Sequence, residues 1–130
     1  MEKSKFKLLE KPWGQEEWLE STSEHKKFLV KKITINKGYR TSAHVHKEKI
    51  ETTYIIQGKV RVWTAWKEQV VKNAELVGEL IPSDFGPGDT FDIYPGLVHR
   101  LEALEDVIFI EVTTYHPNDV ERFADDWNRI

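Results

Sequence analysis

Short apolar and β-branched runs, broken by glycine and proline, recur along most of the chain. Runs of this length that alternate or are rich in Val, Ile, Thr and aromatic residues are typical of strands. The expected strands are 27–36, 52–57, 60–66, 90–94 and 107–114, with a weaker one over 75–81. Gly58-Lys59 has the length of a tight hairpin turn between two of them. Many short strands at close spacing predict an all-β sandwich or barrel.

Two segments depart from this pattern. Residues 67–87 are polar and rich in turn formers, and we expect a hairpin extension over one mouth of the barrel. Residues 117–130 predict a short C-terminal helix, with Asn118 as N-cap and Glu121 completing a capping box. Apolar positions recur there at helical spacing and would pack on the barrel. These positions are Val120, Phe123 and Trp127.

The length of the chain suits one domain. With 130 residues, we expect a single domain made of an N-terminal strand region 1–26, a barrel 27–116 and the helix 117–130.

Composition excludes several classes of function. The net charge is −3 and both signs are interspersed, so the sequence lacks the clustered basic face that nucleic-acid binding requires. Cysteine is absent, which excludes thiolate metal sites. No apolar run is long enough for a membrane span, and the first residues lack the apolar core of a secretory signal, so we expect a cytoplasmic protein.

Three of the five histidines and one glutamate lie in two segments bounded by glycines. His44 and His46 are two residues apart, so on a strand they project to the same side. Glu51 is close enough to arrive from the next strand, and His99 follows the turn signal Pro95-Gly96. Three imidazoles and a carboxylate suit one divalent transition metal, so these four residues are the predicted ligands. His25 and His116 lie outside the pattern and are expected to be exposed polar residues.

These segments resemble the two motifs of the cupin family. Gly38, His44, His46, Glu51 and Gly58 match every position of the first motif, and Gly88, Gly96 and His99 match the second. Tyr94 stands at the usual proline of the second motif, and Ala103 at its asparagine. The resemblance implies a cupin double-stranded β-helix, a jelly-roll barrel that holds a metal inside.

A narrower resemblance covers nearly the whole chain. Four segments are similar to the type II phosphomannose isomerase (mannose-6-phosphate isomerase) cupin domain: Lys11-Pro12-Trp13-Gly14, residues 38–42, His99-Arg100-Leu101-Glu102 and Ile110-Glu111-Val112. The tail 119–129 resembles the ending of that domain, which is rich in Asp, Arg and an aromatic residue. His44 replaces the glutamine typical of that subfamily, which restores the full cupin ligand set.

The resemblance implies a metal-dependent sugar or sugar-phosphate isomerase. Four protein ligands leave open positions only on a five- or six-coordinate ion, which favours Mn, Fe, Co or Ni, or an expanded Zn site. The metal would act as a Lewis acid while a base moves a proton between C1 and C2 through an enediol. Glu111 and Lys49 are the candidate catalytic residues, whereas alternation from Glu51 predicts that Tyr54 faces away.

A phosphate on the substrate would require fixed cations. Arg40 and Arg100 flank the two ligand segments and are the predicted substrate-binding residues, because guanidinium groups pair bidentately with phosphate. Five tryptophans are many for this length, and one or two of them could stack on a sugar.

The same ligand residues are compatible with other functions. The His-x-His pattern followed by lysines is also similar to cupin D-lyxose isomerases, which act on free sugars. A metal-dependent dioxygenase would use the same ligands with iron, and a non-catalytic cupin would bind a sugar or effector without turnover. Small cupins often pair through barrel edges, so a homodimer is expected, a fold-level analogy.

Overall fold

The computed structural model describes residues 5–19 and 27–129. Within these ranges nearly all regular structure is β, with one helical turn, α1, at Lys67–Val70. The strands in chain order are β1 Lys7–Lys11, β2 Gly14–Leu19, β3 Phe28–Ile35, β4 Ala43–Val45, β5 Glu51–Gln57, β6 Val60–Trp66, β7 Val71–Lys72, β8 Glu75–Leu76, β9 Ile81–Phe85, β10 Thr90–Ile93, β11 Leu97–Ala103, β12 Val107–Thr114 and β13 Glu121–Ala124.

Two antiparallel sheets build the barrel. One has the order β1-β2-β3-β12-β5-β10 and the other β13-β4-β11-β6-β9, while β7 and β8 form a separate small hairpin. Neighbours in each sheet are mostly distant in sequence, as in a jelly roll, where the chain crosses repeatedly from one sheet to the other. The predicted all-β architecture is therefore confirmed.

The core lies between the two sheets because the strands alternate in burial. In β5 the buried positions are Glu51, Thr53 and Ile55, while Tyr54 and Ile56 are 48% and 45% exposed. Ile55 joins Phe109, Ile33 and other apolar residues in one continuous cluster. Tyr54 therefore faces away from the barrel interior, as alternation predicted. The polar members of the buried faces gather in one region of the interior, and they form the candidate site.

Gly58-Lys59 joins β5 to β6 as a short connection, but the predicted hairpin is wrong, because the two strands lie in different sheets and do not pair. Gly58 has φ +84°, and a Cβ there would stand 2.1 Å from the carbonyl oxygen of Asp106. Only glycine satisfies both the left-handed backbone and this close approach. This connection carries the chain from the six-stranded sheet to the five-stranded sheet.

The segment 67–87 forms α1, the β7–β8 hairpin and β9. Val70 packs with Val45 and Val98 in a second apolar cluster, on the face of the five-stranded sheet away from the site. The segment therefore contains a hairpin, as predicted, but it packs on this sheet face, and the end of the segment, Ile81–Phe85, is a strand paired with β6.

The prediction of a C-terminal helix is wrong. Glu121–Ala124 forms β13, which pairs antiparallel with β4, and no helix is present anywhere in 117–129. The capping pattern is a local preference, whereas pairing with β13 satisfies the backbone groups along the side of β4 that β11 does not cover. Phe123 still packs on the barrel, against the second cluster, and Trp127 packs against the main core.

The remaining expectations concern His25, a membrane span, the domain boundaries, the homodimer and the location of the protein. His25 lies outside the described residues. No helix among the described residues has the length and hydropathy needed to cross a bilayer. The single-domain boundaries, the homodimer and the cytoplasmic location stay predictions.

Candidate metal centre

Three strands bring the sequence-predicted ligands together. β4 carries His44, with His46 immediately after its end, and β11 carries His99 directly opposite His44 in the antiparallel register. The ring centroids are 4.3 Å apart for His44 and His99, 5.0 Å for His44 and His46, and 5.1 Å for His46 and His99. One nitrogen from each ring lies within 4.8 Å of the others. This spacing allows the three nitrogens to surround one ion.

Backbone carbonyls orient all three rings. The Nδ1 atoms of His44 and His99 lie 2.9 and 3.0 Å from the carbonyl oxygens of Ser42 and Leu97, and Nδ1 of His46 contacts the carbonyl of Asp119. A carbonyl only accepts, so the tautomer with the proton on Nδ1 satisfies all three contacts. In a neutral ring the lone pair is then on Nε2, the tautomer found in metal-bound histidines held by an outer hydrogen bond.

Glu51 completes the arrangement from the first residue of β5. Its Oε1 lies 2.7 Å from Nε2 of His46, and its Oε2 lies 3.9 Å from Nε2 of His99. Nε2 of His46 is nevertheless buried without a hydrogen-bond partner. A buried nitrogen without a hydrogen bond, next to a carboxylate, is unfavourable unless the nitrogen and the carboxylate oxygen both direct lone pairs at a shared cation. The four side chains therefore fit a divalent ion.

Burial controls the protonation of these groups. It lowers the pKa of His44 strongly and also lowers that of His99, with the neighbouring histidines adding to the effect. Both rings are thus neutral at pH 7, as ligands must be. Burial alone would raise the pKa of Glu51, but the close contact with His46, together with the proximity of His99 and Lys49, outweighs it and lowers that pKa. Glu51 is therefore ionised.

Both predicted catalytic residues are buried beside this group. Lys49 is 5% exposed, with its Nζ 4.0 Å from Oε1 of Glu51, and Glu111 is 8% exposed on β12. Burial, followed by the charge of Glu51, raises the pKa of Glu111 to about 8. Burial lowers the pKa of Lys49, and the charge of Lys31 lowers it further. Neither residue is the solvated side chain that an ordinary lysine or strand glutamate would be.

A cavity of about 140 Å³ connects these groups. The four ligand candidates, Lys49 and Glu111 all line it, as do Trp13 and Trp18. Its remaining charged lining residues are Lys11, Glu16, Lys31, Arg122 and Arg129. The volume suits a small polar molecule rather than a polymer.

The structure places the predicted substrate-binding arginines elsewhere. Arg40 is exposed and forms a bidentate pair with Asp126, at 2.8 and 2.9 Å. Arg100 is buried and donates to the carbonyls of Thr41 and Ala124. Neither side chain is among the residues that line the cavity. Both hold the tail against the barrel, and their assignment to substrate stays a prediction that the cavity does not support.

Two residues of the tail contribute to the site although the sequence did not single them out. The carboxylate of Asp119 accepts hydrogen bonds from the backbone N–H groups of Lys47, Glu48 and Lys49, while its own carbonyl receives Nδ1 of His46. Burial would raise the pKa of Asp119, but the three N–H donors outweigh it and hold that pKa at about 2. The second residue, Arg122, lies opposite His44 in the β13–β4 register.

Other predicted features have ordinary positions. His116 is partly exposed and lies 3.5 Å from Glu48, outside the histidine group, as expected. Trp13 belongs to the core, and Trp18 donates its indole N–H to Glu16 at 2.7 Å. Since both line the cavity, they are the tryptophans available to a bound ligand.

Comparisons with known proteins bear on the fold. No family model matches the chain, and no curated protein matches it. Among solved structures, CapF from Staphylococcus aureus has a TM-score of 0.71 at 17% identity, covering 94% of this chain and 33% of that one. Oxalate decarboxylase from Bacillus subtilis has a TM-score of 0.70 at 22% identity, covering 90% and 30%. The Lactobacillus farciminis oxalate decarboxylase has a TM-score of 0.70 at 18% identity, covering 90% and 33%.

The likeness to these structures is one of fold. The chain spans about a third of the length of these structures, and at such identities the likeness shows the fold alone. The fold is the cupin β-barrel, which confirms the fold class expected from the two motifs. The narrower relation to phosphomannose isomerases has no support among these matches.

Proposed function

We propose that this chain is a metal-dependent aldose–ketose isomerase that acts on a sugar or sugar phosphate. The observation that carries the proposal is one small cavity with two kinds of chemistry on its wall. Three imidazoles and Glu51 offer a metal site, and a buried carboxyl–amine pair, Glu111 and Lys49, stands beside them. Isomerisation through an enediol requires both an electrophile at the carbonyl and a group that carries a proton between adjacent carbons.

The metal would be held by Nε2 of His44, His46 and His99 and by the carboxylate of Glu51. When bound, a divalent ion supplies Lewis-acid polarisation of a substrate carbonyl and hydroxyl. Nitrogen and oxygen ligands of this kind accept Mn, Fe, Co, Ni or Zn. Oxalate decarboxylase from Bacillus subtilis, which shares the fold, contains Mn(II) centres. We therefore include manganese first among the ions to test.

The chain's own residues would move the proton. A carboxyl with a raised pKa exchanges protons near neutral pH, so Glu111 is suited to take the proton from C2 and return it to C1. Lys49 would offset the repulsion between Glu111 and Glu51 and donate to a substrate hydroxyl. The faces of Trp13 and Trp18 would pack against the sugar carbons and exclude water.

The proposal is tested by hydrogen exchange on sugars. The purified chain, loaded in turn with Mn, Fe, Co, Ni and Zn, would be incubated in deuterated water with a panel of free and 6-phosphorylated aldoses and ketoses. We expect NMR to show deuterium at C1 or C2 together with aldose–ketose interconversion. Stoichiometric metal without exchange on any sugar would reject the isomerase. Oxygen uptake with the iron form would then support the dioxygenase instead.

Asp119 provides a test of the metal site that leaves every ligand in place. Asp119→Ala keeps the backbone carbonyl that holds His46 but removes the carboxylate that holds the loop 47–49 after it. The looser loop should position His46 less precisely, and we expect metal affinity to fall about 10-fold, the lower end of the cost of losing an outer contact. A competition titration with a chromophoric chelator measures the change. Asp92→Ala, which removes an exposed hydrogen bond with Thr52, is the matched control and should leave the affinity unchanged.

A further inference from the structure

Arg122 differs from the other arginines of the described residues in having no anionic partner. Arg40 pairs with Asp126, Arg61 with Asp84 and Arg129 with Asp125, in each case through two nitrogens. Arg100 donates to two backbone carbonyls and lies 3.7 Å from Asp126. Nε of Arg122, by contrast, is buried and has no hydrogen-bond partner.

Strand pairing directs this side chain to the cavity. Arg122 lies directly across from His44 between β13 and β4, and directly opposed residues of an antiparallel pair share one face of the sheet. The next residue, Phe123, packs on the opposite face, in the second apolar cluster. Arg122 accordingly lines the same cavity as the three histidines.

The other cations of the cavity mostly have carboxylate neighbours. Nζ of Lys31 lies 3.8 Å from Glu16, and Nζ of Lys49 lies 4.0 Å from Glu51. Arg129 is held by Asp125, from which its Nε is 2.7 Å away. Among the described residues that line the cavity, Lys11 and Arg122 are the cations for which no such neighbour is found. A divalent ion at the histidines would add further positive charge to the same space.

Arg122 is half-buried as a residue, but its Nε is a buried donor without an acceptor, which is costly. The cost is recovered if a ligand brings the missing acceptor. Guanidinium presents parallel N–H groups whose spacing matches the paired oxygens of a carboxylate or phosphate. An uncharged sugar hydroxyl accepts less strongly and leaves the charge uncompensated.

We propose that Arg122 is the oxyanion-binding residue of the cavity and takes the carboxylate or phosphate of the bound small molecule. Lys11, the other such cation of the lining, is not required for this bidentate contact. The inference rests on the proposed function only in taking the molecule that bears this carboxylate or phosphate to be a sugar. It replaces Arg40 and Arg100, which are occupied by protein partners, as the source of specificity for an anionic substrate.

Calorimetric titration of the metal-loaded full chain with inorganic phosphate and, separately, with acetate tests the proposal. We expect one of the two anions to bind to the wild type and Arg122→Gln to weaken that binding about 10- to 100-fold, the range expected for a charged hydrogen bond. The anion that shows this dependence distinguishes a phosphate from a carboxylate ligand. Arg122→Lys keeps the charge but loses the fork, so it should recover only part of the affinity.

Arg61→Gln is the matched control, because Arg61 is a paired arginine outside the cavity. Its anion binding should equal that of the wild type. Arg122→Gln should also melt no lower than the wild type without anion, since it removes an unsatisfied group rather than a contact.

The proposal is overturned if neither anion binds the wild type, or if Arg122→Gln binds as tightly as the wild type. A lower melting temperature for Arg122→Gln without anion would likewise overturn it, by showing a structural role. The readout needs no turnover, so anion binding that depends on Arg122 without sugar exchange would reject the isomerase while leaving this site standing.

Discussion

Glu111→Gln should lower kcat for aldose–ketose exchange about 100- to 10,000-fold, the usual contribution of a general acid–base group. The amide is nearly the same size and fits the same buried position on β12, so the barrel should fold and bind metal as before. It cannot accept or return a proton, however, and deuterium incorporation at C2 should fall together with interconversion. The measurement is the NMR exchange assay on the sugar that the wild type prefers, at saturating substrate.

The control for this variant is Glu17→Gln. Glu17 is also a strand glutamate, but its partner is Lys32, 4.0 Å away, and it does not line the cavity. Its exchange rate should match that of the wild type. If Glu111→Gln retains the wild-type kcat with full metal content, another group carries the proton, and Lys49 becomes the next residue to replace. If both glutamine variants lose metal, the loss reflects folding rather than catalysis.

The barrel and the histidine group could be predicted because short-range rules dominate there. Alternation of burial along β5 fixes which residues face inward, and Gly58 is the residue type that the turn requires. The two-residue spacing of His44 and His46 puts both rings on one side of β4. His99 is more distant in sequence, yet its place beside Pro95-Gly96 indicated a strand start close to the same site.

The tail could not be predicted from its own pattern. Asn118 and Glu121 satisfy a capping box, and Val120, Phe123 and Trp127 recur at helical spacing, so local preference favours a helix. The unpaired edge of β4 is a property of the folded sheet and has no signal in residues 117–130. Tertiary hydrogen bonding decides the outcome, as it often does for short segments with modest helix propensity.

The wrong prediction of a helix in the tail also explains why the sequence favoured Arg40 and Arg100 over Arg122. On a helix at the surface, Arg122 has no special position, whereas the adjacency of Arg40 and Arg100 to ligand segments makes them attractive. Once the tail is a strand beside β4, alternation places Arg122 on the histidine side. The partners of Arg40 and Arg100, Asp126 and the carbonyl of Ala124, also belong to the tail. Whether an arginine already has a partner within the protein is therefore a better guide to substrate binding than its adjacency to a ligand segment in the sequence.

His99→Ala should weaken metal binding by more than about 100-fold, because the loss of an outer partner alone costs up to that amount and this variant removes a ligand. His99 is 2% exposed and contributes the only candidate nitrogen from β11, so no neighbouring side chain can take its place. Metal content after dialysis and a chelator competition titration measure the effect. Sugar exchange should disappear in the same preparations, since the substrate carbonyl then lacks its electrophile.

His116→Ala separates the loss of a ligand from the loss of any histidine. His116 is partly exposed, with Thr114 and Glu48 as its neighbours, and it lies outside the cavity lining. Its replacement should leave both metal content and exchange intact. A His99→Ala protein that keeps one tightly bound ion would place the metal away from the three histidines, and the isomerase proposal would then lose its electrophile. A His99→Ala protein that loses both the ion and the exchange, beside an unaffected His116→Ala, would tie the reaction to this site.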